Sequence, residues 1–217
     1  MNKIDMDNLY DMRREYEAGE LNEQDLTQEP LEMFGSWLQE AVSAGVTEPN
    51  AMTLATATTE GRPSARVVLL KEVNSEGFVF FTNYLSRKGR ELLVNPHAAL
   101  VFDWHEIERQ VRIEGRVEKL SAEESDVYFN ARPENAKIGA WTSPQSKIVK
   151  DRSELDELLR ETEQRFAHKE IHRPDHWGGF LIRPTVIEFW QGRPNRLHDR
   201  IACYKTEEGW SKHRLAP

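Results

Sequence analysis

The stretch AMTLATATTEGRPSARVVLLKEVNSEGFVFFTN, Ala51 to Asn83, holds three short runs rich in β-branched, aliphatic and aromatic residues, broken at TEGRPS and NSEG. Runs of that length, separated by Gly, Pro, Ser and Asn, read as consecutive strands of an antiparallel meander. Downstream, SRKGRELLVN reads as a short helix ending before Pro96, and AALVFDWH and RQVRIEGRVEKL read as two more strands. In the second of these, Val111, Ile113, Gly115 and Val117 alternate with Arg112, Glu114 and Arg116, which gives one buried and one wet face.

Helical patterns return at SAEESDVYFNAR, PENAKIGAW and DRSELDELLRETEQRFAHK, and the last third is β again in GGFLIRPTVIEFW, RLHDRIACYK and WSKHRL. About eight short strands in hairpins predict a closed or nearly closed small barrel rather than a flat sheet with exposed edges. The class is mainly β with flanking helices (α+β), since strands and helices do not alternate one for one as a doubly wound fold requires. Upstream, Leu9, Met12 and Tyr16 stand at helical spacing up to Gly19. A second helix opens at Pro30, with Leu31, Phe34, Trp37, Leu38 and Val42 as its apolar stripe. Residues 1–46 are thus expected to form a helical arm, and 47–217 the barrel domain with its inserted helices.

The 217 residues are 38% hydrophobic and 30% charged, a globular composition. Acidic residues outnumber Lys and Arg by 37 to 29, which argues against nucleic acid or an anionic membrane as partner but allows a local basic pocket. The single cysteine, Cys203, excludes an intrachain disulfide, and no apolar run reaches the ~18 residues of a membrane span. With no signal-peptide core at the start, a cytoplasmic location is expected.

Against that acidic background RPNRLHDR gathers Arg193, Arg196, His198 and Arg200 just after Phe189 and Trp190. Read as the start of a strand, it puts Arg196, His198 and Arg200 on one face and Leu197 and Asp199 on the other. The cluster suits a surface strand paired with acidic neighbours, or, with the aromatics, a flat anionic heteroaromatic ligand. Asp199, pointing away, is not expected to orient His198 as in a catalytic dyad.

In NYLSRKGREL, Ser86 reads as an N-cap, so Arg87 and Lys88 open a helix against its macrodipole. A bound phosphate would reverse the sign of that effect; two solvated side chains are the alternative. In ARVVLLKEV, Arg66 and Lys71 are an odd interval apart and fall on opposite faces of an unbroken strand, so a shared pocket needs a bulge or a strand end. Tyr128 and Arg132 are helical neighbours able to hold a phosphate, or plain surface packing. His168, His172 and His176 recur every four residues, but Pro174 interrupts and no Cys or placed carboxylate joins them, so a metal is not expected. Cys203 reads as a small buried hydrophobe, and no Gly-rich nucleotide loop occurs.

Taken in order, RVVLLK, FFTN, SRK, ERQVRIEG, YFNARP, IGAW, QS and above all IEFWQGRPNRLHDR resemble the pyridoxamine 5′-phosphate oxidase family over nearly the whole chain, from RREY to RLAP. The resemblance implies an FMN-binding split-barrel homodimer with two sites shared between subunits, no metal, and oxidation of pyridoxamine or pyridoxine 5′-phosphate at C4′. Hydride would go to flavin N5 and on to oxygen, giving hydrogen peroxide and pyridoxal 5′-phosphate. It implies FMN contacts from Arg66, Val67, Leu70, Lys71, Phe81, Thr82, Arg87, Lys88, Gln110, Gln145, Ser146, Trp190 and Arg200. Substrate contacts would come from Lys71, Tyr128, Arg132 and position 136, from Arg196, Leu197 and His198, and from Arg13, Arg14, Glu15 and Tyr16. Arg196 and His198 would carry the catalytic role. Relatives commonly have a serine where this chain has Ala136, followed here by Lys137, which removes one hydroxyl donor from the phosphate site. Rival readings are another split-barrel flavoprotein with a different substrate, and a non-enzymatic flavin or vitamin B6 phosphate carrier.

Overall fold

A computed structural model describes residues 14–217, and its elements follow the hydrophobic periodicities closely. In chain order they are α1 (Pro30–Ser43), β1 (Ala51–Ala57), β2 (Pro63–Leu69), β3 (Glu72–Asn74), β4 (Gly77–Asn83), α2 (Arg87–Val94), β5 (His97–Trp104) and β6 (Arg109–Lys119). Then come α3 (Ala122–Ala131), α4 (Glu134–Thr142), α5 (Arg152–Phe166), β7 (Trp177–Gln191), β8 (Asp199–Thr206) and β9 (Gly209–Arg214). The strand order is β2-β1-β5-β6-β7-β4-β3, with β8 on β7 and β9 on β8. Nine strands appear among the described residues where the sequence suggested about eight, because ARVVLLKEV is split.

Two compact units emerge. One holds Asn50–Phe102 and Arg112–Val186; the other holds the described residues up to Pro49, Asp103–Val111 and Ile187–Pro217. In the first, β1 and β2 pair antiparallel from Ala51↔Leu69 to Ala57↔Pro63. The alternation of β1 sends Met52, Leu54 and Thr56 inward. β4 is buried along nearly its whole length and pairs with β7 from Phe78↔Ile182 to Asn83↔Trp177, so its run of aromatics sits between neighbours on both faces. In β6, Val111, Ile113, Gly115 and Val117 are all buried, as the period-two pattern requires. Gly115 stands in that row because a Cβ there would overlap the Arg183 carbonyl of the neighbouring strand. Helices α3 to α5 carry a satellite core of Phe129, Ile138, Ala140 and Phe166, closed by Ile171 and Trp177.

In the second unit Pro30 occupies the first turn of α1, where a missing N–H costs no helical bond. The buried face of α1 is Met33, Phe34, Trp37 and Ala41, while Val42 is exposed. The apolar stripe is therefore rotated from the one expected, toward Trp104 and Phe189. Phe34 packs on Trp104 at 5.9 Å and Trp37 meets Phe189 edge-on at 5.2 Å. β8 and β9 form a hairpin from Ile201↔Arg214 to Thr206↔Gly209.

The expected helix ending near Gly19 is corrected over its described part, since residues 14–20 are not helical. Their amides bond elsewhere: Glu17 and Ala18 N–H donate to the Glu108 carboxylate at 2.7 and 2.8 Å. Leu9 and Met12 of that expectation, and Arg13 of the expected substrate contacts, lie outside the described residues. The three histidines share no helix, because α5 stops at Phe166.

Candidate functional site

A cavity of about 480 Å³ opens in the first unit between the end of β2, β4, the start of α2 and the α3–α4 corner. Its walls are Val67, Val68, Leu69, Lys71, Phe81, Thr82, Asn83, Lys88, Tyr128, Arg132, Pro133, Ala136, Gln145 and Trp177. Three of these are cationic and none is a carboxylate, in a chain whose net charge is −8. Residues that enter from six separate segments thus concentrate positive charge in one hollow.

Arg132 caps the C-terminus of α3, one turn beyond Tyr128. Its guanidinium lies over the Trp177 ring at 4.5 Å, and its Nη1 is buried with no hydrogen-bond partner. Burial pulls its pKa below the usual arginine range, partly offset by Tyr128. A buried guanidinium nitrogen without an acceptor is costly, by roughly 1–3 kcal/mol or more for a charged group, and an anion in the cavity removes that cost. Tyr128 stacks on Phe81 at 3.9 Å, and Phe81 on Trp177 at 5.5 Å, so the wall beneath the cations is rigid and aromatic. Ala136 contributes a methyl group where a hydroxyl donor is expected from the family pattern.

The start of α2 is the second cationic element. Ser86 is its N-cap, its Oγ accepting from Gly89 N–H at 3.2 Å, so Arg87 and Lys88 are the first helical residues. Lys88 Nζ donates to Gln145 Oε1 at 3.0 Å and Thr82 Oγ1 at 3.4 Å, both neutral acceptors. Burial and then the Arg66 charge depress its pKa. Arg66 and Arg87 both turn to Glu91, at 3.6 and 2.9 Å.

The spacing conflict between Arg66 and Lys71 is resolved by a break. β2 ends at Leu69; Leu70 N–H donates to Asn50 O at 2.8 Å and Lys71 N–H to Val79 O at 2.9 Å. Lys71 is thereby released from the alternation of β2 and reaches the cavity, while Arg66 reaches the Glu91 cluster.

In the second unit the cationic stripe expected on one strand is corrected. β8 begins at Asp199, so Arg196, Leu197 and His198 precede it. Residues Pro194–Arg196 form a 3-10 turn in which Asn195 and Arg196 have φ of 56° and 60°. Those left-handed residues turn the chain before pairing begins, which a period-two count does not register. His198 Nδ1 accepts the Arg193 N–H at 3.1 Å, leaving Nε2 to carry the proton of the neutral ring. Burial lowers the His198 pKa and the Arg196 charge lowers it further. Its ring lies 4.7 Å from Trp190 and 5.5 Å from Tyr16, and Gly192 leaves the room that Tyr16 fills. Asp199 is turned to Arg214 at 2.6 Å, Leu21 N–H at 3.1 Å and Arg193 at 3.6 Å, and its carboxylate is bonded to these rather than to His198.

Arg200 pairs with Glu188 at 2.8 Å, and Arg14 with Glu108 at 2.9 Å, while Glu15 accepts from Asn195 N–H at 3.3 Å. Gln110 is half-buried on β6, exposed Ser146 adopts φ 70°, and Leu70 is buried beside the cavity without lining it. Sequence reasoning missed Trp177, Asn83 and Pro133 in the cavity wall, and Glu91 and Glu108 as anchors. Only Glu91 left a signal, its i,i+4 spacing from Arg87. Cys203 is buried, its thiol pushed up to about 11 by desolvation.

Comparison with known proteins adds an independent line. Residues 38–169 match the family model described as pyridoxamine 5′-phosphate oxidase, and 177–217 match the pyridoxine 5′-phosphate oxidase C-terminal dimerisation region. The pyridoxine/pyridoxamine 5′-phosphate oxidase of Salinibacter ruber is 54% identical over 98% of this chain and all of that relative. Among solved structures, PhzG from Burkholderia lata, in complex with tetrahydrophenazine-1-carboxylic acid, superposes with a TM-score of 0.85 at 31% identity. It covers 91% of this chain and 98% of its own. A pyridoxamine 5′-phosphate oxidase-related, FMN-binding protein of Nostoc punctiforme has a TM-score of 0.67 at 15% identity, covering 84% and 96%, and shares the fold.

Proposed function

The chain belongs to the pyridoxamine 5′-phosphate oxidase family, and we propose on that footing that it oxidises pyridoxine or pyridoxamine 5′-phosphate to pyridoxal 5′-phosphate. It is an oxidoreductase with an antiparallel FMN-binding split-barrel fold, and it assembles as a homodimer through a C-terminal dimerisation region. The lone Cys203 and a small-molecule metabolic role favour a cytoplasmic location.

The observation that carries the reading is the carboxylate-free cavity with its unpartnered Arg132 Nη1. Its donor set fits a flat ligand bearing a phosphate: aromatic and aliphatic walls, a guanidinium fork, two ammonium groups and a phenol. FMN fits the adjoining donors as well, with Arg66, Arg87 and Lys88 available to its phosphate and Val67, Thr82 and Gln145 to its ring. When bound, FMN supplies the two-electron acceptor for oxidation at C4′ and passes those electrons to oxygen.

The remaining work falls to side chains. Lys71, Tyr128 and Arg132 hold the substrate phosphate, and a bidentate bond from Arg132 fixes the ligand's rotation as well as its position. Without a hydroxyl at position 136, that grip relies on charge more than on hydrogen-bond number. His198, whose neutral ring carries its proton on Nε2, is assigned to donate a hydrogen bond to the substrate. Arg196, exposed in the free chain, is assigned to stabilise negative charge that develops on the substrate. Trp190 and Tyr16 shield His198 from water.

Changing Arg196→Leu is expected to lower kcat/KM by about two orders of magnitude while FMN stays bound. Steady-state kinetics beside a flavin absorbance spectrum makes the check, and wild-type turnover in that variant would remove Arg196 from the mechanism.

A further inference from the structure

Glu91 is a buried acid that the reaction itself does not use, yet it sits among the cations assigned to the cofactor. Its side chain is 7% exposed. Oε2 accepts from Thr56 Oγ1 at 2.5 Å and Ser64 Oγ at 2.7 Å, and Oε1 from Arg87 Nε at 2.9 Å. Arg66 Nη2 approaches to 3.6 Å. Arg66 is itself tied down: Nη1 donates to Thr56 Oγ1 at 2.7 Å and Leu54 O at 3.1 Å, and Nη2 donates to Ser64 Oγ. Two strands and one helix therefore meet through a single carboxylate.

We propose that Glu91 is a positioning residue for the FMN phosphate, clamping Arg66 and Arg87 beside Lys88 as a preformed receptor for a dianion. This rests on the reading of the chain as an FMN protein. Arg66, on β2, repels both Arg87 and Lys88, the first two residues of a helix whose free N–H groups add further positive potential. Three cations against one carboxylate leave two positive charges, which match a phosphate monoester near neutral pH. The clamp also removes side-chain freedom from both arginines before the ligand arrives, so less ordering is left to oppose binding. Burial alone would raise the Glu91 pKa, but the Thr56, Ser64 and Arg87 hydrogen bonds and the Arg87 charge bring it to about 2, so the clamp is ionised at any working pH.

Positioning and simple charge compensation predict opposite signs. If Glu91 merely offsets charge, Glu91→Gln leaves a more positive site and tightens FMN. If it positions, the amide turns an N–H toward donors it used to bind, the arginines lose their register, and FMN weakens. The full chain, stripped of flavin, is titrated with FMN and separately with riboflavin, which has the ring and no phosphate, following quenching of flavin fluorescence. Glu91→Gln should raise the FMN Kd by about tenfold or more and leave the riboflavin Kd within about twofold. Ser64→Ala, a milder lesion in the same cluster, should weaken FMN alone by about threefold, and it serves if the first variant does not fold. Unchanged or tighter FMN binding overturns the proposal, as does an equal loss for both flavins, which marks general damage. Failure of the wild-type chain to bind either flavin overturns the functional reading on which it rests.

Discussion

At His198 the tautomer follows from one backbone contact: Arg193 N–H occupies Nδ1, so the proton of the neutral ring resides on Nε2. Its pKa is lowered from 6.5 by burial first and by Arg196 second, so the unfolded chain takes up this proton at higher pH than the folded one. Stability therefore rises with pH through this group, and the fold loses its contribution as pH falls below about 6.5. NMR titration should find His198 below 6.5 and Arg196→Leu should shift it upward; a value above 6.5 in the wild type would reverse the assignment. Tyr128 and Arg132 were legible in the sequence because a helix places residues four apart side by side. Glu91 showed only its i,i+4 spacing from Arg87 and Trp177 nothing, since tertiary packing alone buries the first and lays the second under Arg132. The turn at Asn195 and Arg196 was equally hidden, because left-handed backbone at non-glycine residues has no dependable sequence mark.

Among the elements, α2 joins local capping to the site. Ser86 is fully buried; its Oγ takes the Gly89 N–H and its own N–H reaches Asn83 O. Ser86→Ala should cost about 1–2 kcal/mol, read as a lower urea midpoint with an unchanged slope. A variant as stable as the wild type would show that the cap is not what starts this helix. The strands β1 and β6 were legible because their period-two alternation and their burial agree, and β4 because its unbroken apolar run is buried on both faces. The break between β2 and β3 was visible only as a contradiction, two basic residues wanted in one place at the wrong parity. The segment 14–20 misled because helical spacing is a weak signal where the amides can bond to a buried carboxylate instead.

For the molecule as a whole, an acidic chain keeps Lys71, Lys88 and Arg132 around a cavity with no acid in its wall. That arrangement is unfavourable in the free protein and becomes favourable when anions enter, which is how binding energy is directed to one place. The barrel class could be read from strand number and turn spacing, and the family from the order of its motifs. How the chain divides its basic residues between an ionised clamp and a ligand-ready cavity could not, because that depends on distances no linear pattern encodes. The rival readings part at one measurement. The purified, yellow protein is titrated anaerobically with pyridoxine 5′-phosphate while the flavin absorbance near 450 nm is followed, a wavelength on the order of that usual for oxidised flavins. Oxidation of this substrate predicts bleaching with about one equivalent per site and return of the colour on admitting oxygen, with hydrogen peroxide formed. A flavin band that persists under excess substrate would contradict it, leaving a carrier or an oxidoreductase of some other substrate.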